Sequence, residues 1–184
     1  MKAQAGVGLV EVLVALLIFA VGIVGAFKMQ IAAKRANFEA AQQSIAVGLV
    51  RDILERIRSN PGELESYLVE EVGERALAAG LDCRLMSCSN SQLAVHDLHE
   101  WSSHLTGAGE LVSIDGTDRN AGGLAMARAC VRRSSRIVTV AIAWRGTNRL
   151  AGDSESDCGE SSSVYGAGNE GRRLLVMTTY IGSL

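Results

Sequence analysis

The chain has 184 residues, room for one domain of ordinary size plus an extra element. Its 18 Lys and Arg stand against 20 Asp and Glu, so it lacks the overall basic character that a nucleic-acid partner favours. One proline and 20 glycines point to long helical stretches joined by Gly-rich connections.

From Val7 to Phe27 the single ionisable residue is Glu11. As a helix this run would be roughly 31 Å long, enough to span a bilayer. A secretory signal peptide carries a shorter apolar run, about 7 to 15 residues, followed by a small-residue cleavage site. Here the run flows into more helix. Phe27, Ile31, Phe38, Ile45, Leu49, Ile53 and Ile57 follow mostly at spacings of four and seven, which makes one helical stripe. Lys28, Lys34, Arg35, Glu39, Arg51, Asp52, Glu55 and Arg56 supply the polar positions around it. The spacing predicts an unbroken helix to Asn60, before Pro61, roughly 80 Å in all. The remainder is rich in charge and small polar residues, so one membrane span and one water-soluble domain are expected.

A carboxylate within hydrocarbon costs roughly 2.5 kcal/mol or more unless it finds a partner. Glu11 could sit at headgroup level, or it could meet a positive group from another chain. An α-amino group, with a pKa of about 8, would serve. In apolar surroundings such a pair would fix register more than it adds stability.

The segment Gly6-Val7-Gly8-Leu9-Val10-Glu11-Val12-Leu13 resembles the start of a type IV prepilin. The resemblance implies a leader from Met1 to Gly6 with Lys2 as its basic residue. It also implies cleavage by a prepilin peptidase between Gly6 and Val7, methylation of the new N-terminus at Val7, and Glu11 as the family glutamate. The family usually carries phenylalanine where Val7 stands. The implied organisation is leader 1–6, membrane-spanning part 7–27, amphipathic part 28–59 and globular domain 60–184. The implied fold class is α+β, the pilin fold, with a long N-terminal helix packed against a small antiparallel β-sheet. Lys28, Lys34 and Arg35 follow the span while only Lys2 precedes it, which the positive-inside rule reads as N-terminus outside. The family inserts with its leader in the cytoplasm, and a long following domain weakens the rule. A single-pass inner-membrane protein with a periplasmic domain, later at the pilus and cell surface, is the expectation.

In the soluble part, Asn60-Pro61-Gly62-Glu63 reads as a helix start, with Asn as cap and Pro at the first position. A helix to about Ala79 would bury Leu64, Leu68, Val72 and Leu77. A second begins near Ser91 with Leu93, Leu98, Trp101 and Leu105. Strands are expected over Glu110–Ile114, Ala125–Arg132, Ile137–Trp144 and Leu174–Ile181, with a turn at Ser134-Ser135. Together they predict an antiparallel sheet of about four strands packed on the upper half of the long helix. The segments Asp97-Leu98-His99-Glu100-Trp101 and Ile142-Ala143-Trp144-Arg145-Gly146 resemble the PilV type of minor pilin. The minor pseudopilins of type II secretion share the N-terminus and general plan.

Four cysteines, Cys83, Cys88, Cys130 and Cys158, lie outside the span, and an even count in an exported domain favours disulfides. They allow three pairings. Cys83 and Cys88 are close enough to close a small loop, which leaves Cys130 with Cys158. No CxxC or paired His spacing suggests a metal. His99-Glu100-Trp101-Ser102-Ser103-His104 is one residue too long for HExxH, because spacing of five turns the second His about 140° away. His96 and His99 could meet at spacing of three, but they read as helix surface. Gly166-Ala167-Gly168-Asn169-Glu170-Gly171 fits GxGxxG, yet a Ser-rich loop precedes it and a strand follows, the reverse of the dinucleotide context. Arg132, Arg133 and Arg136 form the one compact basic cluster, read as protection of strand edges in preference to a DNA contact.

No catalytic, cofactor or metal residues are therefore expected. The resemblance implies a minor pilin that primes or caps a type IV pilus, in support of adhesion or twitching motility. Its partners would be other minor pilins, the major pilin, the prepilin peptidase, an inner-membrane assembly platform and a tip adhesin. Gly22 and Gly25 would permit close helix contact or local loosening. The alternatives are a minor pseudopilin of type II secretion, or a pilus-displayed binding module for DNA or a host ligand.

Overall fold

A computed structural model describes residues 8–149 and 155–182. The predicted leader, with Lys2, Gly6 and Val7, lies outside the described residues. The chain divides between Ala40 and Ala41 into two compact units.

Helix α1 runs over Leu9–Ser59, 51 residues. It stops where Pro61 follows, because the residue before a proline is pushed out of the helical region and proline has no N–H to donate. Asn60 has φ −133° and ψ 55° and makes no side-chain cap, contrary to the expected helix start. Its Nδ2 instead donates to the Asn90 carbonyl at 2.8 Å and to Tyr67 Oη at 3.3 Å.

The first unit contains only α1 among the described residues, and its side chains from Leu9 to Phe38 are exposed. In the second unit the same helix buries Gln42, Ala46, Leu49, Val50, Ile53, Leu54 and Ile57. The expected stripe is therefore covered by the chain's own fold only from Gln42 onward. Phe27, Ile31 and Phe38 stay exposed, and so does Ile45, which lies about 100° round the helix from the middle of the buried face.

After α1 the chain departs from expectation. The predicted helix to Ala79 is a 3-10 turn over Pro61–Tyr67, followed by strand β1, Val69–Val72. β1 pairs antiparallel with a later strand through Val69↔Val131 and Val72↔Ala129, with a bulge between. Leu64, Leu68 and Val72 recur at helical spacing, but the free edge of the sheet offers backbone partners that a lone helix turn would lack.

Helix α2, Asn90–Thr106, starts one residue before the expected position. Ser89 Oγ accepts from the Gln92 N–H and Gln92 Oε1 from the Ser89 N–H, so two free donors are satisfied at once. Gly107 ends it at φ 70°, where a Cβ would collide with the Gly122 carbonyl at 2.0 Å.

Strands β2, Leu111–Ile114, and β3, Thr117–Asn120, form a separate two-stranded hairpin. The segment expected in the main sheet is thus outside it, and β3 was not anticipated. Its signal is the turn: Asp115 (φ 51°) and Gly116 (φ 73°) occupy the two positive-φ positions of a hairpin turn.

The main sheet has order β1-β4-β5-β6, with β4 Arg128–Ser134, β5 Ile137–Arg145 and β6 Arg172–Tyr180, all neighbours antiparallel. Ser134 pairs with Ile137, so the turn is Ser135-Arg136, one residue beyond the expected pair. Central β5 is buried on both faces. Val138, Val140, Ile142 and Trp144 join α1 and α2 in the main core, while Ala141 packs with Cys130 and Cys158 on the other side. The expected architecture holds: a long N-terminal helix on a small antiparallel sheet.

Candidate assembly site

In the first turn of α1 the Glu11 N–H and Val12 N–H both donate to the Gly8 carbonyl, at 3.0 and 3.3 Å. Glu11, Ala15 and Phe19 recur at spacing of four, so they share one face, and Val12 and Leu16 flank them in a shallow groove. Leu9 is 78% exposed and Phe19 is 66% exposed, and an 18-residue window of the helix has none of its surface buried. By length and composition this helix can cross a membrane. A Cβ at Gly22 or Gly25 would meet nothing within 4 Å, so both glycines leave flat, open patches on the helix surface.

The second unit holds the helix end in place with a cluster of charges that the sequence reading did not assemble. Arg56 donates to Asp52 at 3.0 Å (the i, i+4 partner), to Asp97 at 2.7 Å and to Glu100 at 3.1 Å. Tyr67 Oη donates to the other Asp97 oxygen at 2.6 Å. Burial works against the Arg56 charge, but the carboxylates of Asp97, Asp52 and Glu100 outweigh it and raise its pKa. Burial, then the bond to Asp97, pushes the Tyr67 hydroxyl well above its ordinary value. Burial alone would raise Glu100; Arg56, with His96 and Arg84 nearby, holds it below the usual carboxylate range. Trp101 Nε1 donates to the Leu49 carbonyl at 2.9 Å, tying α2 to α1. The cluster is a clamp between α1 and α2.

Cys83 and Cys88 form a disulfide, and so do Cys130 and Cys158. The second joins β4 to the long β5–β6 connection and lies in the small core on the outer face of the sheet. The first closes a surface loop whose Leu85 is 83% exposed.

The remaining sequence candidates fall apart in space. His99 Nδ1 bonds the Leu77 carbonyl at 2.7 Å, His96 Nε2 lies 3.5 Å from Glu100, and His104 faces solvent. Among the described residues no group of three His, Cys, Asp or Glu is placed to hold a metal. In the GxGxxG segment the loop is filled from within: Glu170 Oε2 accepts from the Gly168 N–H at 3.1 Å, where a phosphate would have to sit. Each arginine of the basic cluster has a partner in the fold, Arg132 with Asp157, Arg133 with Glu65 and Arg136 with Tyr180 Oη.

Residues 1–27 match the family model of the prokaryotic N-terminal methylation motif, and residues 28–99 match the model described as type IV pilin Tt1218. The two matches meet within α1, and together they reach into α2. No curated protein and no solved structure matches the chain.

Proposed function

Because the chain belongs to the type IV pilin family, a structural and non-enzymatic family, we propose that it is a minor pilin. It enters the inner membrane once, is cut by the prepilin peptidase between Gly6 and Val7, is methylated at Val7, and joins a filament through α1. The methylation motif on residues 1–27 carries this reading, because that motif has a use only where a peptidase exposes a new N-terminus. In the membrane the freed α-amine of one subunit would meet Glu11 of its neighbour, which sets the axial register of the helices. The apolar α1 surface from Leu9 to Phe27 is matched to lipid first and to other α1 helices afterwards. Two disulfides suit a domain that folds in the oxidising periplasm and ends at the cell surface. Priming or capping with other minor pilins, on the assembly platform and alongside the major pilin, in support of adhesion or twitching, is the role assigned.

The test is the N-terminal residue and intact mass of the protein purified from membranes of its own cells. A chain starting at N-methylated Val7 supports the reading; an intact Met1, or a cut far downstream, refutes it. Glu11→Ala is expected to insert normally and lose co-assembly. A secretion defect with pili unchanged would instead place the protein among the pseudopilins of type II secretion.

A further inference from the structure

The outer edge of β6 is a long, nearly uncharged strand edge. β6 is the last strand in the sheet order, and among the described residues no backbone bond reaches its outer side between Leu174 and Tyr180. After Arg172 and Arg173 its sequence is Leu-Leu-Val-Met-Thr-Thr-Tyr, without charge or proline. Edges of this kind are usually blunted by lysine, proline, a bulge or shortness, since they template pairing with another chain.

Parity identifies the free groups. The two-residue turn makes Ser134↔Ile137 a hydrogen-bonded pair, so odd-numbered residues of β5 bond to β4 and even-numbered ones to β6. Their β6 partners are Arg173, Leu175, Met177 and Thr179. Leu174, Val176, Thr178 and Tyr180 therefore point their N–H and C=O groups outward. The flanking bonds agree: the Ile181 N–H turns inward to the Arg136 carbonyl and the Arg172 N–H turns away to Asn169.

Strand polarity selects the occupant. A second copy pairing β6 with β6 in parallel would put the two α1 helices on opposite faces of the joint sheet. An antiparallel pair would be related by a two-fold axis perpendicular to the sheet, which reverses every direction within the sheet plane. The Ala41 ends of the two α1 helices, which pack against the sheet in the main core, would face opposite ways in an antiparallel pair, and two chains entering one membrane cannot do this. A neighbour set alongside in the same orientation meets no such conflict. Three antiparallel pairings separate β1 from β6, so β1 runs antiparallel to β6. A like-built neighbour thus presents its first-strand edge to β6 in antiparallel sense, with the helices co-directional. This chain's own β1 is four residues long and bulged, too short to cover β6, so the match is to a different subunit.

We propose that the outer edge of β6, through the backbone of Leu174, Val176, Thr178 and Tyr180, docks the first-strand edge of a neighbouring pilin subunit and continues the sheet across the two domains. This rests on the pilin reading above and adds a contact between globular domains to the one between helices.

The experiment uses the full chain in membranes of its own cells, alongside its co-assembling pilin subunits. Thr178→Pro removes an outward N–H that the fold does not use, a position where edge strands tolerate proline. Thr178→Ala keeps that N–H. The proline variant is expected to lose co-purification with pilin subunits about tenfold, an equilibrium change of about 1.4 kcal/mol, while the alanine variant stays near wild type. A photoreactive benzophenone side chain at position 178 is expected to cross-link to a strand of another pilin subunit; this decides the matter where the proline variant does not fold. Wild-type co-assembly of a folded Thr178→Pro chain, or cross-links confined to lipid or to a second copy, would overturn the proposal. Loss of co-assembly in Glu11→Ala with none in Thr178→Pro removes the strand contact and leaves the pilin reading in place.

Discussion

Helix α1 meets two different fates along one unbroken hydrogen-bond ladder. Up to Phe38 its Leu, Val, Ile and Phe side chains are exposed; from Gln42 onward residues of the same chemistry are sealed beneath a sheet and a second helix. The residue types barely differ, so hydrophobicity alone does not say which partner will remove them from water. What differs is the polar part. Between Leu9 and Phe27 one carboxylate, Glu11, is the sole charge on an otherwise apolar surface; Lys28, Lys34 and Arg35 follow it, and the buried half carries Arg51, Asp52, Glu55 and Arg56 on the face away from the sheet or at its border. A segment apolar all round has to be solvated by lipid or by copies of itself, and a striped one can be completed by its own domain.

The largest expected effect tests the sealed half. Trp101→Ala should cost about 3–5 kcal/mol by denaturant unfolding of the detergent-solubilised chain, since it empties a fully buried site and removes the bond from its indole N–H to the Leu49 carbonyl. The two disulfides come next and should separate. Losing the 28-residue loop of Cys130–Cys158 should cost about 3.5 kcal/mol, against about 2 for the five-residue loop of Cys83–Cys88, on the chain-entropy relation. Equal losses would place the buried pair's contribution elsewhere than in loop closure.

Alkaline pH acts on two buried tyrosines, Tyr67 in the clamp and Tyr165, whose Oη donates to the Met126 carbonyl at 2.7 Å and the Ala143 carbonyl at 3.2 Å beside the sheet. Tyr67 and Tyr165 have hydroxyl pKa values raised by burial, so they bind their protons more tightly folded than unfolded. Their contribution is complete below about pH 10, the unfolded value, and falls as pH rises toward the folded values, by up to about 1.4 kcal/mol per pH unit for each group. Urea midpoints between pH 8 and 12 should therefore decline only above 10, and Tyr67→Phe should flatten that decline. The smallest effect is the contrast itself: Phe19→Ala should leave unfolding of the soluble domain within about 0.5 kcal/mol of wild type, and a larger shift would show that the exposed half of α1 supports the domain.

Several elements were legible because one local rule sufficed. The apolar run, the stop at Pro61, the start of α2 near its Ser-x-x-Gln box and the β-branched runs of β4, β5 and β6 each carry their own signal. β1 does not: Leu64, Leu68 and Val72 keep a helical period, and only the free edge of β4 turns Val69–Val72 into a strand. Thr117–Asn120 is polar throughout, so only its Asp-Gly turn could have announced β3. The Arg56 clamp joins residues 41 and 44 positions apart, and no local pattern encodes such a meeting.

The sequence by itself determined the membrane-compatible helix, its acidic interruption and the family, because length, periodicity and a short contiguous motif are properties of neighbouring residues. Tertiary structure alone decided where the helix passes from exposed to sealed, that Val69–Val72 is a strand, that β2 leaves the main sheet, and that β6 ends it with an open edge. Those outcomes depend on which distant backbone and side-chain groups compete for the same partner, and that competition is settled only when the chain is packed.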